Sequence, residues 1–127
     1  MGADGMLIDE MPAGREMDKL LAAKLGWKWD DKTATSPRGS KYDMQKCPSF
    51  WWLPDYSTDI SAAWEVVEEI KPHVLRVDIT ISADTRLKPY AILITGKGIR
   101  EWWQSEGDTL SLAICRAALL AMGVTEL

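Results

Sequence analysis

The 127-residue chain has 15 Lys+Arg against 19 Asp+Glu, a net charge of −4, with 46% hydrophobic and 27% charged residues. That length and balance suit one domain over residues 1–127 and exclude a wholly disordered chain. An acidic chain with one histidine and two cysteines also argues against a nucleic-acid-polymer binder, a His/Cys zinc centre and a disulfide scaffold.

Residues 1–11 read as an N-terminal tail without the basic start and apolar core of a secretory signal. The longest apolar stretch, within Leu112–Met122, is interrupted by Arg116. It falls short of the roughly 20 apolar residues of a bilayer span. The expectation is a cytoplasmic protein with no membrane partner, in which Cys47 and Cys115 stay reduced. Cys115 sits in an apolar helical pattern and is expected to pack as a small hydrophobe.

A first helix is expected to open near Pro12, since proline suits a first helical turn, and to stop at Gly26. Met17, Leu20, Leu21 and Leu25 form its apolar stripe, and Trp27 folds back as a cap. Residues 30–46 are polar and without period, and read as an exposed loop, disordered or acting as a lid. Ser49–Leu53, between Pro48 and Pro54, reads as a short edge strand.

A second helix follows Ser57-Thr58-Asp59, any of which can cap it. Its buried stripe is expected to be Ile60, Ala63, Trp64, Val67 and Ile70, with Glu65, Glu68 and Glu69 on the wet face and Pro72 as the stop. From Val74 to Ser82 the period changes to 2, with Leu75, Val77, Ile79 and Ile81 alternating inward. Tyr90–Thr95 is more uniformly apolar and reads as a central strand, antiparallel to the previous one across a short polar link. Gly96-Lys97-Gly98 reads as a turn, and Ile99–Gln104 as the returning strand. The last helix, about Thr109–Met122, has Asp108 as N-cap and Gly123 as stop. It is apolar around most of its circumference, which calls for cover on more than one side.

Three blocks carry a resemblance. Gly14–Ala22 with Gly26-Trp27, Tyr56–Glu68 and Ala113–Leu120 together resemble the phage ABA-sandwich domain family, over roughly residues 14 to 123. The resemblance implies a small phage or prophage protein acting in a bacterial host cell. It implies an α+β fold, a three-layer α/β/α sandwich with a largely antiparallel or mixed sheet and three main helices. The resemblance implies no established shared activity, so no catalytic residue is transferred.

Catalytic chemistry finds little support. His73 is the single histidine, Gly96-Lys97-Gly98 lacks the spacing of a phosphate loop, and Glu68-Glu69 suits a solvated face better than a metal. The chain is read as non-enzymatic and without cofactor or metal. Its unusual feature is 7 Trp against 3 Tyr and 1 Phe. Neighbouring residues on a strand point to opposite faces, so Trp51-Trp52 and Trp102-Trp103 can each send one ring inward and one out. With Arg100, Arg76 and Lys97 near in sequence, the outward rings suit stacking on a base and contact to phosphate. The expected ligand is a small nucleotide-like host molecule or defence signal, sequestered without turnover. The alternatives for these rings are core burial or a protein interface, the latter making the chain a module that inhibits or assists a host or phage enzyme. A homo-oligomer is expected, through the last helix or the Trp-rich strands.

Overall fold

The structure, a computed structural model, describes residues 7–46 and 52–125. It is an α+β, sandwich-like fold of three helices and two three-stranded antiparallel sheets. In chain order the elements are α1 (Arg15–Leu25), β1 (Lys28–Trp29), β2 (Thr33–Thr35), β3 (Lys41–Asp43), α2 (Ile60–Ile70), β4 (Val74–Ile81), β5 (Tyr90–Gly96), β6 (Trp102–Gly107) and α3 (Leu110–Ala121). One sheet has the order β1-β2-β3, the other β4-β5-β6.

α3 is the centre of the fold. It packs on β5 and β6 on one side and meets α2 and α1 on the other. Every residue from Ser111 to Leu119 is buried as a result. The apolar excess expected to serve a second subunit is thus covered within the chain. Thr109, not Asp108, caps the helix, its Oγ1 accepting from the Leu112 nitrogen at 3.1 Å. Gly107 permits the tight approach of β6 to α3, since a Cβ there would stand 2.8 Å from the Ala113 nitrogen.

α1 starts at Arg15, three residues after the expected proline, and ends as expected at Gly26 with φ 104°. The left-handed conformation favours glycine there. The expected tail is partly core. Ile8 and Met11 are buried, and the Ile8 nitrogen donates to the Thr125 carbonyl at 3.1 Å. The polar stretch 30–46 is not a loop either, for it holds β2 and β3 and their turns. Asp30 Oδ1 accepts from the nitrogens of Lys32 and Thr33 at 2.7 and 2.8 Å and closes the β1–β2 turn. These bonds hold its carboxyl below the usual range. Strands of two or three residues are too short to show a period, which is why the sequence concealed them.

In α2, Asp59 is the cap, accepting from the Ser61 nitrogen. Its buried residues are Ala63, Val66, Val67 and Ile70. The expected stripe is rotated, and Trp64 is 44% exposed instead of core. The reason is α3, which contacts α2 along the Ala63–Val66–Val67 side. The edge strand proposed at 49–53 lies partly outside the described residues; Trp52 and Leu53 are buried in a turn.

β4 and β5 pair antiparallel as expected, and β5 is central, with Ile92 and Ile94 buried. Register places Val77 beside Ile94 and Ile79 beside Ile92, on the face that meets α3. α3 reaches β5 and β6, so the outer half of this face at β4 is left open. Leu75 and Ile81 are accordingly 70% and 71% exposed, where inward packing was expected, and Leu75 also sits at a register shift. The returning strand begins at Trp102 instead of Ile99. The turn is lengthened by Glu101, whose carboxylate accepts from the Gly98 nitrogen at 2.7 Å, with Arg100 at φ 64°.

Candidate binding site

Of the residues singled out in the sequence, four gather at one end of the β4-β5-β6 sheet. Arg76, Thr95 and Trp102 form one row across it, on the face turned away from α3. Strand spacing puts about 10 Å between the Arg76 and Trp102 backbones. Arg100 lies in the adjoining turn, and Lys97 Nζ donates to the Pro72 carbonyl at 2.9 Å, beside the start of β4. Trp102 is 61% exposed and Trp103 is half-buried on the opposite face. Arg76 is already engaged by Asp78 at 2.8 Å. Trp52 is elsewhere and buried, and Trp51 lies outside the described residues. The platform is thus one displayed indole with three nearby cations, on an open surface.

A second candidate site lies elsewhere. A cleft of about 390 Å³ opens between the β2–β3 turn and α2. Trp27, Tyr42, Tyr56 and Trp64 supply aromatic surface, and Pro37 and Arg38 form the facing wall. Glu65, Glu68 and Glu69 line the α2 side. Trp64, Glu65, Glu68 and Glu69 fall together because helix positions three and four apart share a side, which links Trp64 to Glu68 and Glu65 to Glu68 and Glu69.

The aromatic surface is braced from behind. Trp27 packs on Trp52 with centroids 4.9 Å apart and on Tyr42 at 5.9 Å, and Trp52 meets Trp29 at 5.3 Å. Trp27 is therefore more than the helix cap expected of it: it joins α1 to the small sheet. Trp27 Nε1 also donates to the Tyr56 hydroxyl at 3.1 Å. The facing turn is closed by Ser36, whose nitrogen donates to the Ser40 carbonyl and whose Oγ accepts from the Ser40 nitrogen.

Burial pushes the Tyr56 phenol from 10.0 up to about 12. The charges of Glu65, Glu69 and Asp18 push the same way, and the Trp27 hydrogen bond opposes them. The folded state therefore favours the protonated phenol. Its contribution to stability is complete below pH 10 and is lost as pH rises through about 12. A tyrosinate absorbance step near pH 12 is expected, and it should vanish in Tyr56→Phe; a Tyr56→Phe chain that keeps the step would refute the assignment.

A buried polar clasp joins α1 to the segment that opens α2. Asp18 Oδ1 accepts from the Ser57 nitrogen at 2.9 Å and from its hydroxyl at 2.7 Å. Ser57 Oγ accepts from the Gly14 nitrogen at 2.9 Å. Cys115 Sγ donates to the Tyr56 carbonyl at 3.1 Å. Burial first, and the Asp18 charge second, raise this thiol far above its ordinary range, so it is not a nucleophile at neutral pH. It packs as the small hydrophobe the sequence suggested, fully buried.

The cleft itself was not legible beforehand. Trp64 read as core, the glutamates as a wet face and 36–40 as a loop. The available signal was that Trp64 and the glutamates share a helical side.

Among the described residues, no helix is long and apolar enough to cross a membrane. The family model for the phage ABA sandwich domain matches residues 19–119. A solved structure of a phage protein from Bacillus cereus is similar, with a TM-score of 0.63 at 24% identity, covering 87% of this chain and 92% of that one. At that identity the likeness is one of fold. No curated protein matches the chain. The matched span runs from α1 through nearly all of α3, so the central helix and the β4-β5-β6 sheet on which it packs lie inside it. The chain belongs to the phage ABA sandwich domain family.

Proposed function

We propose that this protein is a non-enzymatic binding protein whose ligand occupies the aromatic cleft between the β2–β3 turn and α2. The observation that carries the reading is the cleft: about 390 Å³, within the range of small-molecule sites, with four aromatic residues in its lining. Three carboxylates against the single Arg38 set the charge of the occupant, with Lys71 engaging Glu68 at 3.3 Å. The chemistry that fits is a small organic cation or a positively charged planar ring, held by ring faces and carboxylates. On this reading the site sequesters a host small molecule.

A second reading keeps the nucleotide-like ligand and places it on the sheet. It is favoured by the row of Arg76, Thr95 and Trp102 with Arg100 and Lys97 beside it. A base would stack on the indole and phosphate would meet the cations.

Calorimetry separates the two. The panel is mono-, di- and cyclic nucleotides on one side, and quaternary amines and cationic heterocycles on the other. The cleft reading expects binding in the cationic series that weakens about tenfold in Trp64→Ala and is unchanged in Trp102→Ala. Nucleotide binding lost in Trp102→Ala would move the function to the sheet. Binding no tighter than millimolar across both series would remove both readings.

A further inference from the structure

We infer that β4 is the seam of a symmetric dimer, in which a second copy of this chain adds its own β4 antiparallel to the first and joins two three-stranded sheets into one of six. β4 ends its sheet, because the strand order is β4-β5-β6. An edge strand offers a row of unpaired main-chain groups, and folds that stay monomeric blunt such edges with charged side chains, proline, a β-bulge or a cover. Residues 74–81 contain no proline, their register shift is confined to the Val74–Arg76 end, their two charges are of opposite sign, and five of the eight are Val, Ile or Thr.

The strand is complementary to itself. In an antiparallel pairing centred on Val77, Arg76 of each copy stands opposite Asp78 of the other. Both side chains project from the face turned away from α3, beside Thr95 and Leu93. The Arg76–Asp78 contact within one chain, 2.8 Å, would become a four-membered charge cluster. Opposite charges across a strand pair stabilise it, and a C2 interface requires just this reciprocity.

The other face supplies apolar surface. A groove of about 300 Å³ runs between α2 and β4, lined by the apolar Trp64, Val67, Val74, Val77 and Ile79 and also by Lys71 and Arg76. Leu75, Ile79 and Trp64 are exposed along it, and Ile81 is exposed at the far end of β4. A second β4 places another set of these side chains beside the first. The opposite edge, β6, suits this less well. Its Glu106 carbonyl accepts from Arg116 at 2.8 Å, and the Ser105 hydroxyl donates to Asp9 at 2.7 Å.

Sedimentation across a concentration series tests the seam on the full chain. The wild type is expected at twice the chain mass of 14.2 kDa. Arg76→Asp alone and Asp78→Arg alone each turn both cross-strand pairs into like-charge pairs, and each should dimerise about tenfold more weakly or worse. Mixed together, the two variants should form a heterodimer, since one β4 is then doubly acidic and the other doubly basic. Ile81→Lys, at an exposed position, should weaken the dimer without unfolding the chain, as circular dichroism would check. A wild type that stays monomeric at high micromolar concentration overturns the inference. So does a dimer indifferent to all three substitutions, or a pair of charge variants that fail to associate when mixed.

Discussion

Arg116→Ala is expected to lower the unfolding free energy by roughly 3–5 kcal/mol. Arg116 is 9% exposed, in the middle of α3. Its Nε and one terminal nitrogen donate to the Met11 carbonyl at 3.0 and 2.8 Å, and the other terminal nitrogen donates to the Glu106 carbonyl at 2.8 Å. One guanidinium thus ties the central helix to the N-terminal segment and to β6. Truncation removes charge-assisted bonds, strands two carbonyls and opens a cavity. Arg116→Lys should recover only part of the loss, because an ammonium lacks the planar fork that reaches both carbonyls. Urea denaturation measures it. A loss below about 1 kcal/mol for Arg116→Ala would mean that the fork contributes little and that the N-terminal segment is held by Ile8 and Met11 alone.

Asp18→Ala is expected to cost roughly 2–4 kcal/mol. Asp18 is 1% exposed and joins α1 to the segment that opens α2. Its loss leaves the Ser57 nitrogen without its acceptor and the Ser57 hydroxyl with only the longer contact to the Gly14 carbonyl at 3.3 Å. Ser57→Ala should cost less, roughly 1–3 kcal/mol, since it orphans the Gly14 nitrogen and one carboxylate lone pair. The two losses should not add. A double-mutant cycle is expected to show a coupling of about 1–2 kcal/mol, because each substitution already breaks the shared bond. Strict additivity would deny the clasp. The Arg15–Asp18 contact at 3.5 Å is a minor part of this, with Arg15 43% exposed and also paired with Asp55 at 2.8 Å.

Much of the fold was legible because its signals are local. β5 showed its apolar run, α2 its acidic and apolar sides, and Gly26 and Gly123 their stops. The family resemblance lay in the helices, where side chains three and four apart face one partner and so constrain each other along the chain. The short strands between residues 28 and 43 escaped, since two or three residues carry no period and their turns are set by individual carboxylates such as Asp30. Helix α2 misled for another reason. Its stripe has apolar residues on two adjoining sides, and local pattern has no means of choosing which side α3 would take. Trp64 fell on the side left open and became part of a cleft.

By itself the sequence determined the three main helices, the hairpin pairing of β4 with β5 and the centrality of β5. Each of these follows from spacing, side-chain type or count, and needs no distant partner. Only the tertiary structure decided that Arg116 is buried, that Asp18 and Ser57 clasp, that Trp52 is enclosed while Trp102 and Trp64 are displayed, and that β4 is left half-covered. These facts depend on contacts spanning 39 to 105 positions of the chain. Such contacts exist only once α3 has settled between the sheet and the other two helices.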